Sequence, residues 1–266
     1  MKTSTDGLLS YASKLSGCCV CFLAIFLLTA CSKAEQPKPE AEIQLNAVVP
    51  PQLSIDAVRF DTTGLTGVES APNTKRWTSG RALEVSLRCI EVPPDIPCSL
   101  SNKEGIRDYF RRCAIQGGGG LVEADVIKIG QVPCAKTIVK VPQQPSGTAY
   151  VGSITIPLAQ GSYIIRVQSV ETGITGMRES AILHNLTASG KVTISEGGVL
   201  QNWECDPYDP KIKGDDLVLR NQSEDERYDK LFPTHPLTRV RVALKAILRT
   251  IKLDKSVLMA PPFLGP

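Results

Sequence analysis

Arg81-Ala82-Leu83-Glu84-Val85-Ser86-Leu87-Arg88-Cys89-Ile90 is the stretch on which the fold turns. Leu83, Val85, Leu87 and Cys89 alternate with Glu84, Ser86 and Arg88. A period of two sends successive side chains to opposite faces of a strand, so this one is expected to be half-buried with Cys89 on its core side. Farther along, Tyr150, Ile154, Ile156 and Leu158 form a second alternating face, followed after Gln160-Gly161 by Tyr163, Ile165 and Val167. The two runs predict a hairpin, and Pro157, which has no N–H to give to a ladder, is expected to place the first of them at a sheet edge. Further strands are expected at Ile43–Val48, Ser54–Phe60, Val122–Ile129, Thr137–Val141 and Lys191–Ser195. Short strands and turn-rich separations, with 21 Gly and 19 Pro, predict a mainly β fold with accessory helices. Over residues 43–205 the expected form is an antiparallel β-sandwich-like domain, not a doubly wound sheet.

Two helices interrupt that pattern. Ser101-Asn102-Lys103-Glu104 has the form of a capping box, and Ile106, Tyr109, Phe110 and Cys113 recur at helical spacing, leaving Arg107, Arg111 and Arg112 partly exposed. Gly117-Gly118-Gly119-Gly120 follows as a turn suited to mobility or to close backbone approach; it lacks the Lys-Ser/Thr ending of a phosphate loop. Residues 206–266 change character, with an acid-rich connector through Asp229, expected to be solvated, then an amphipathic helix opened by Thr234-His235-Pro236 and an irregular tail. Leu237, Val240, Leu244, Ile247, Leu248 and Ile251 make its apolar stripe, and Arg241, Lys245, Arg249 and Lys252 a basic face.

The N-terminus carries a different signal. Lys2 and Lys14 precede the apolar run Val20–Leu28, which is shorter than the roughly 20 residues of a membrane span, and the run closes on Leu28-Thr29-Ala30-Cys31. This order resembles the signal and lipobox of bacterial outer-membrane lipoproteins. The resemblance, confined to that segment, implies removal of residues 1–30, lipidation of Cys31, and export to the outer membrane, since Ser32 follows the cysteine in place of Asp. It also implies contact with the membrane through the N-terminal acyl chains and a body expected to face the periplasm, although the sequence leaves open whether it faces the periplasm or the cell exterior. Residues 31–42, with Pro37 and Pro39 and almost no apolar material, read as a flexible tether.

Composition narrows the function. The 266 residues contain 30 Lys and Arg against 27 Asp and Glu, a near-balance that does not point to nucleic acid. Beyond Cys31 the chain holds Cys89, Cys98, Cys113, Cys134 and Cys205. In an oxidising compartment the expected pairs are Cys89–Cys98, closing a loop with Pro93, Pro94 and Pro97, and Cys113–Cys134, which leaves Cys205 over. These spacings give no two-plus-two metal pattern and the two histidines stand apart, so neither a metal nor a cofactor is expected. Glu171, Thr172, Gly173, Thr175, Gly176, Arg178 and Glu179, followed by His184 and Asn185, form a polar set read as a surface loop able to offer hydrogen bonds. No Gly-x-Ser-x-Gly elbow occurs.

The function expected is therefore a lipid-anchored binder of another envelope protein or of an incoming effector, such as an inhibitor or immunity protein against a delivered toxin. Arg107, Arg111, Arg112, Arg241, Lys245, Arg249 and Lys252 are its candidate contacts. The alternative is an envelope hydrolase acting on peptidoglycan or another envelope substrate. The sequence leaves the oligomeric state open.

Overall fold

The computed structural model describes residues 53–68, 71–80, 83–214 and 217–266. Cys31, the tether and the expected strand Ile43–Val48 lie outside them. The alternating stretch forms a strand over Leu83–Ile90, with Val85, Leu87 and Cys89 buried. It belongs to a seven-stranded antiparallel sheet: β1 (Thr66–Val68), β2 (Thr74–Ser79), β3 (Leu83–Ile90), β4 (Gly120–Ile129), β5 (Val132–Pro142), β6 (Thr148–Leu158) and β7 (Gly161–Val170). The spatial order is β1-β2-β3-β7-β6-β5-β4. The expected hairpin is β6–β7, registered from Ala149 opposite Val170 to Leu158 opposite Gly161.

Pro157 does not put β6 at an edge; the strand runs between β5 and β7. The reason lies in the register, because the last β5 residue paired with β6 is Ala135, opposite Thr155. Pro157 lies beyond that point, where its missing N–H takes nothing from the β5 ladder.

The fold is mainly β, as expected, but the layer against the sheet is helical. The C-terminal helix α3 (Pro236–Thr250) lays Leu237, Val240, Leu244 and Ile247 into one cluster with Val85, Leu87, Ile154, Ile165 and Ile138. Full burial of such side chains stabilises by about 1.5–3 kcal/mol each, enough to hold the helix without a covalent tie. Gly152 permits the approach, since a Cβ there would lie 2.6 Å from both Leu244 Cδ1 and Val240 Cγ1.

Helix α1 (Lys103–Gln116) packs on the other face. Its N-cap is Asn102, whose side chain accepts from Gly105 N–H. Ile106 and Tyr109 join Ile96, Leu100 and Ala135 in a second cluster that also gathers Val126, Cys98 and Cys113. The pairs Val126–Ala135 and Ile127–Cys134 are neighbours in the β4–β5 register and so face opposite ways; the first belongs to the α1 cluster and the second to the α3 cluster. The glycines after α1 serve close approach. Gly118 takes φ +71°, and a Cβ on Gly120 would overlap the Val218 carbonyl oxygen.

That two-faced arrangement overturns the expected disulfides. Cys89, Cys98, Cys113, Cys134 and Cys205 are all free thiols. Cys89 and Cys134 lie in the α3 cluster, whereas Cys98 and Cys113 lie in the α1 cluster, so the sheet stands between the members of each expected pair. Burial pushes the Cys89 thiol up to about 11 and the Cys134 thiol to about 12, which keeps both protonated and unreactive.

The polar set after β7 is not a loop alone, because Met177–Ala188 forms helix α2. The acid-rich connector is not a solvated one either. Gln222–Glu224 and Glu226–Leu231 form short 3-10 turns, and Ser223 and Glu224 have no exposed surface. A two-residue ladder of Glu204–Cys205 with Arg220–Asn221 ties this segment across the expected boundary at 205. Another small ladder joins Val58–Arg59 to Lys252–Leu253 beyond the end of α3. No helix among the described residues is long and apolar enough to cross a membrane.

Candidate functional site

The connector stays inside because cations from three elements meet its acids. Arg178 on α2, with no exposed surface, donates to the Ser223 carbonyl at 2.7 Å, Thr238 Oγ1 at 3.1 Å and the Asp225 carbonyl at 3.0 Å, and pairs with Asp229 at 2.9 Å. Arg241 on α3 donates to Glu123 at 2.6 Å, Asp229 at 2.9 Å and the Glu224 carbonyl at 2.7 Å. The Glu224 carboxylate accepts from Lys140 Nζ at 2.9 Å, Tyr150 hydroxyl at 2.8 Å and its own N-cap amide, Asn221 N–H, at 2.8 Å. Buried charges are tolerated only with such full pairing.

Arg178 also lines a pocket of about 250 Å³, together with Val170, Glu171, Ile174, Met177, Phe232, His235 and Arg239 among others. Glu171 sits where β7 ends, its oxygens accepting from Thr148 N–H at 2.8 Å and Gly176 N–H at 2.9 Å. Glu179 lies in the first turn of α2, where burial, then the Glu171 and Glu224 carboxylates, raise its carboxyl above the usual range. His235 is the N-cap of α3, as the sequence implied; Nδ1 accepts from Leu237 N–H at 3.3 Å. Its Nε2 lies 3.8 Å from Glu171 Oε1 and 3.7 Å from Glu179 Oε1, and one donor atom from each of the three residues falls within 4.8 Å of the others. Burial first, then Arg178, Arg241 and Arg239, lower the imidazole to about 3, so it is neutral at ordinary pH.

The cations expected to form a contact surface divide into two groups. Arg111 and Arg241 are buried and committed: Arg111 grips Asp206 with Nε at 2.6 Å and a second nitrogen at 2.9 Å. They leave the candidate contact set, because a buried guanidinium held in place by carboxylates has no free face for a partner. Arg107 pairs with Asp125 at 3.1 Å and lies 4.0 Å over the Tyr208 ring. Arg112 is exposed and pairs with Asp108, and Lys245 is exposed and pairs with Glu226.

Arg249 and Lys252 make no ion pair among the described residues and come together in a groove of about 690 Å³ with Arg59, Phe60, Asp61, Thr250 and Ile251. Arg59 stands opposite Lys252 in the short ladder and pairs with Asp254. Like charges opposed across a ladder are unfavourable, so three cations here form an electrostatic demand that Asp254, with Asp61 in the same groove, meets only in part. Arg59 carried no sequence signal; only the ladder brings it to α3.

No family model and no curated protein matches the chain. Among solved structures it is similar to the Saccharomyces cerevisiae Ran-binding protein Mog1p at 11% identity and a TM-score of 0.40, over 77% of this chain and 95% of that one. A mutant of protein Mog1 gives 11% and 0.41 over 77% and 96%, and a Bacteroides thetaiotaomicron protein 9% and 0.30 over 45% and 41%. Identities and scores this low tie the chain to none of these proteins' activities.

Proposed function

We propose that this chain is a lipid-anchored envelope protein that binds another protein, taking an acidic segment of that partner into the groove of Arg59, Arg249 and Lys252. The observation that carries the reading is the convergence of these three cations on one open surface, two of them without a carboxylate partner among the described residues. The Leu28-Thr29-Ala30-Cys31 signal supplies the second support, because an acyl anchor at Cys31 concentrates a binder at its membrane. Within that class, an inhibitor or immunity protein against a delivered toxin is a narrower reading, for which stoichiometric binding would suffice.

Cationic surfaces speed encounter with acidic partners and lose that advantage in salt. Partner recovery from intact envelopes by the lipidated protein tests the reading. The wild type is expected to recover an acidic protein, with recovery falling at high salt and about tenfold in the folded Arg249→Gln/Lys252→Gln variant. Equal recovery by both proteins, or catalytic turnover of an envelope substrate by the mature chain, counts against it.

A further inference from the structure

Beside the pocket at the start of α3, which His235 lines, the fold leaves two buried polar atoms without hydrogen bonds. His235 Nε2 and Glu179 Oε2 are buried and unpartnered among the described residues. The His235 side chain is only 7% exposed, and its Nε2 points between Glu171 and Glu179. Proteins leave few such atoms unsatisfied, because each carries an uncompensated loss of hydration. We infer that Glu171, Glu179 and His235 bind a divalent transition-metal ion, with zinc as the type, at an open three-ligand site facing the pocket.

The donor set selects the class of ion. An imidazole nitrogen with two carboxylates suits zinc and its neighbours, whereas calcium and magnesium take oxygen alone. Bonds of about 2.0–2.1 Å to a tetrahedral ion put neighbouring donors about 3.3 Å apart. The gaps of 3.7 and 3.8 Å from Nε2 to the two carboxylates need a few tenths of an ångström of closure, and the two carboxylate oxygens, within 4.8 Å of one another, need up to about 1.5 Å. Glu171 and His235 line a space of about 250 Å³, which has room for a water or ligand atom at a remaining coordination position.

The neighbouring groups hold the ligands in place. The amides of Thr148 and Gly176 orient the Glu171 carboxylate. Arg178, Arg241 and Arg239 oppose a cation at the imidazole, and Asp229, 2.9 Å from both Arg178 and Arg241, offsets part of that charge. The cost falls on the helix cap. Leu237 N–H donates to Nδ1, which assigns the ring proton of the empty site to Nε2, and an ion at Nε2 moves that proton to Nδ1. The bond given up is long, 3.3 Å, at the weak end of the hydrogen-bond range.

The test is titration of the full mature chain, in detergent and with accessible thiols alkylated, with Zn²⁺. One ion per chain is expected, with a rise in melting temperature. Affinity should fall about tenfold or more in Glu179→Gln and in His235→Asn, the latter retaining a capping acceptor. Absence of saturable Zn²⁺ binding, or unchanged affinity in both folded variants, overturns the inference. Should a variant not fold, X-ray absorption of the zinc-loaded wild type decides: a shell of nitrogen and oxygen with one imidazole supports the site, and a shell containing sulfur or several imidazoles refutes it.

Discussion

Arg178 shows how much of this protein depends on single buried charges. Its guanidinium reaches two carbonyls, a hydroxyl and a carboxylate while having no exposed surface. Removing one member of such a group strands the others away from water, so Arg178→Met is expected to cost about 3–5 kcal/mol in urea unfolding. A loss below about 1 kcal/mol would show that the connector is held by other means. Glu123 gives a pH signature. Burial alone would raise its carboxyl, but Arg241 and Lys136 outweigh burial and hold it below its ordinary value of 4.5. A lowered folded-state value contributes stability that is full above the unfolded value and is lost as pH falls through the folded one. Wild-type stability should therefore drop more steeply below about pH 4.5 than that of Glu123→Gln, and parallel profiles would exclude this role. Sequence spacing read Arg241 as part of an exposed basic face, although it follows Leu237 by four residues and precedes Leu244 by three, on the buried stripe. Its carboxylate partners, like Asp206 for Arg111, come from distant segments, which is why the pairing was not legible.

At the level of elements, Gly152 is the contact point between sheet and helix. Gly152→Ala should force α3 outward and destabilise by about 1–3 kcal/mol, as overpacking does. Leu244→Ala alone should cost about 2–5 kcal/mol through the cavity it leaves. If the two residues meet as described, the double variant is less damaged than the sum, by about 0.5 kcal/mol or more; strict additivity would contradict the packing. The elements read correctly from sequence are those with strong periodicity and one apolar face. Leu83–Ile90, the β6–β7 hairpin and the Leu237–Ile247 stripe all rest on local alternation that tertiary packing did not override. The edge strand β1 and its neighbour β2 contain no fully buried residue, so no alternation marks them. Helix α2 was missed because Gly176 gives it no side-chain cap and the fully buried Arg178 interrupts its apolar pattern. The candidate metal site was half legible: Glu171 and Glu179 stood out as a polar set, but His235 reaches them only through the fold.

For the whole molecule, the proposed anchor in the first 31 residues would hold the proposed binding groove near the membrane. Intact-mass analysis of the protein from its native envelope should give a chain beginning at an acylated Cys31, and Cys31→Ala should abolish lipid attachment while leaving the body folded. A chain beginning at Met1 would remove the anchor. The body is held by noncovalent layers on both faces of one sheet, and this explains why a disulfide scaffold inferred from cysteine spacing failed: spacing does not tell which face a thiol occupies. The central claim, that an acidic protein docks in the groove of Arg59, Arg249 and Lys252, is tested most directly by photo-crosslinking in intact envelopes. A crosslinking residue is placed at Lys252 in one protein and at exposed Lys103 on α1 in another, both with the lipid anchor present. The account predicts one acidic protein captured from position 252 and absent from position 103. Capture of the same protein from both positions, or of none from position 252, would contradict it.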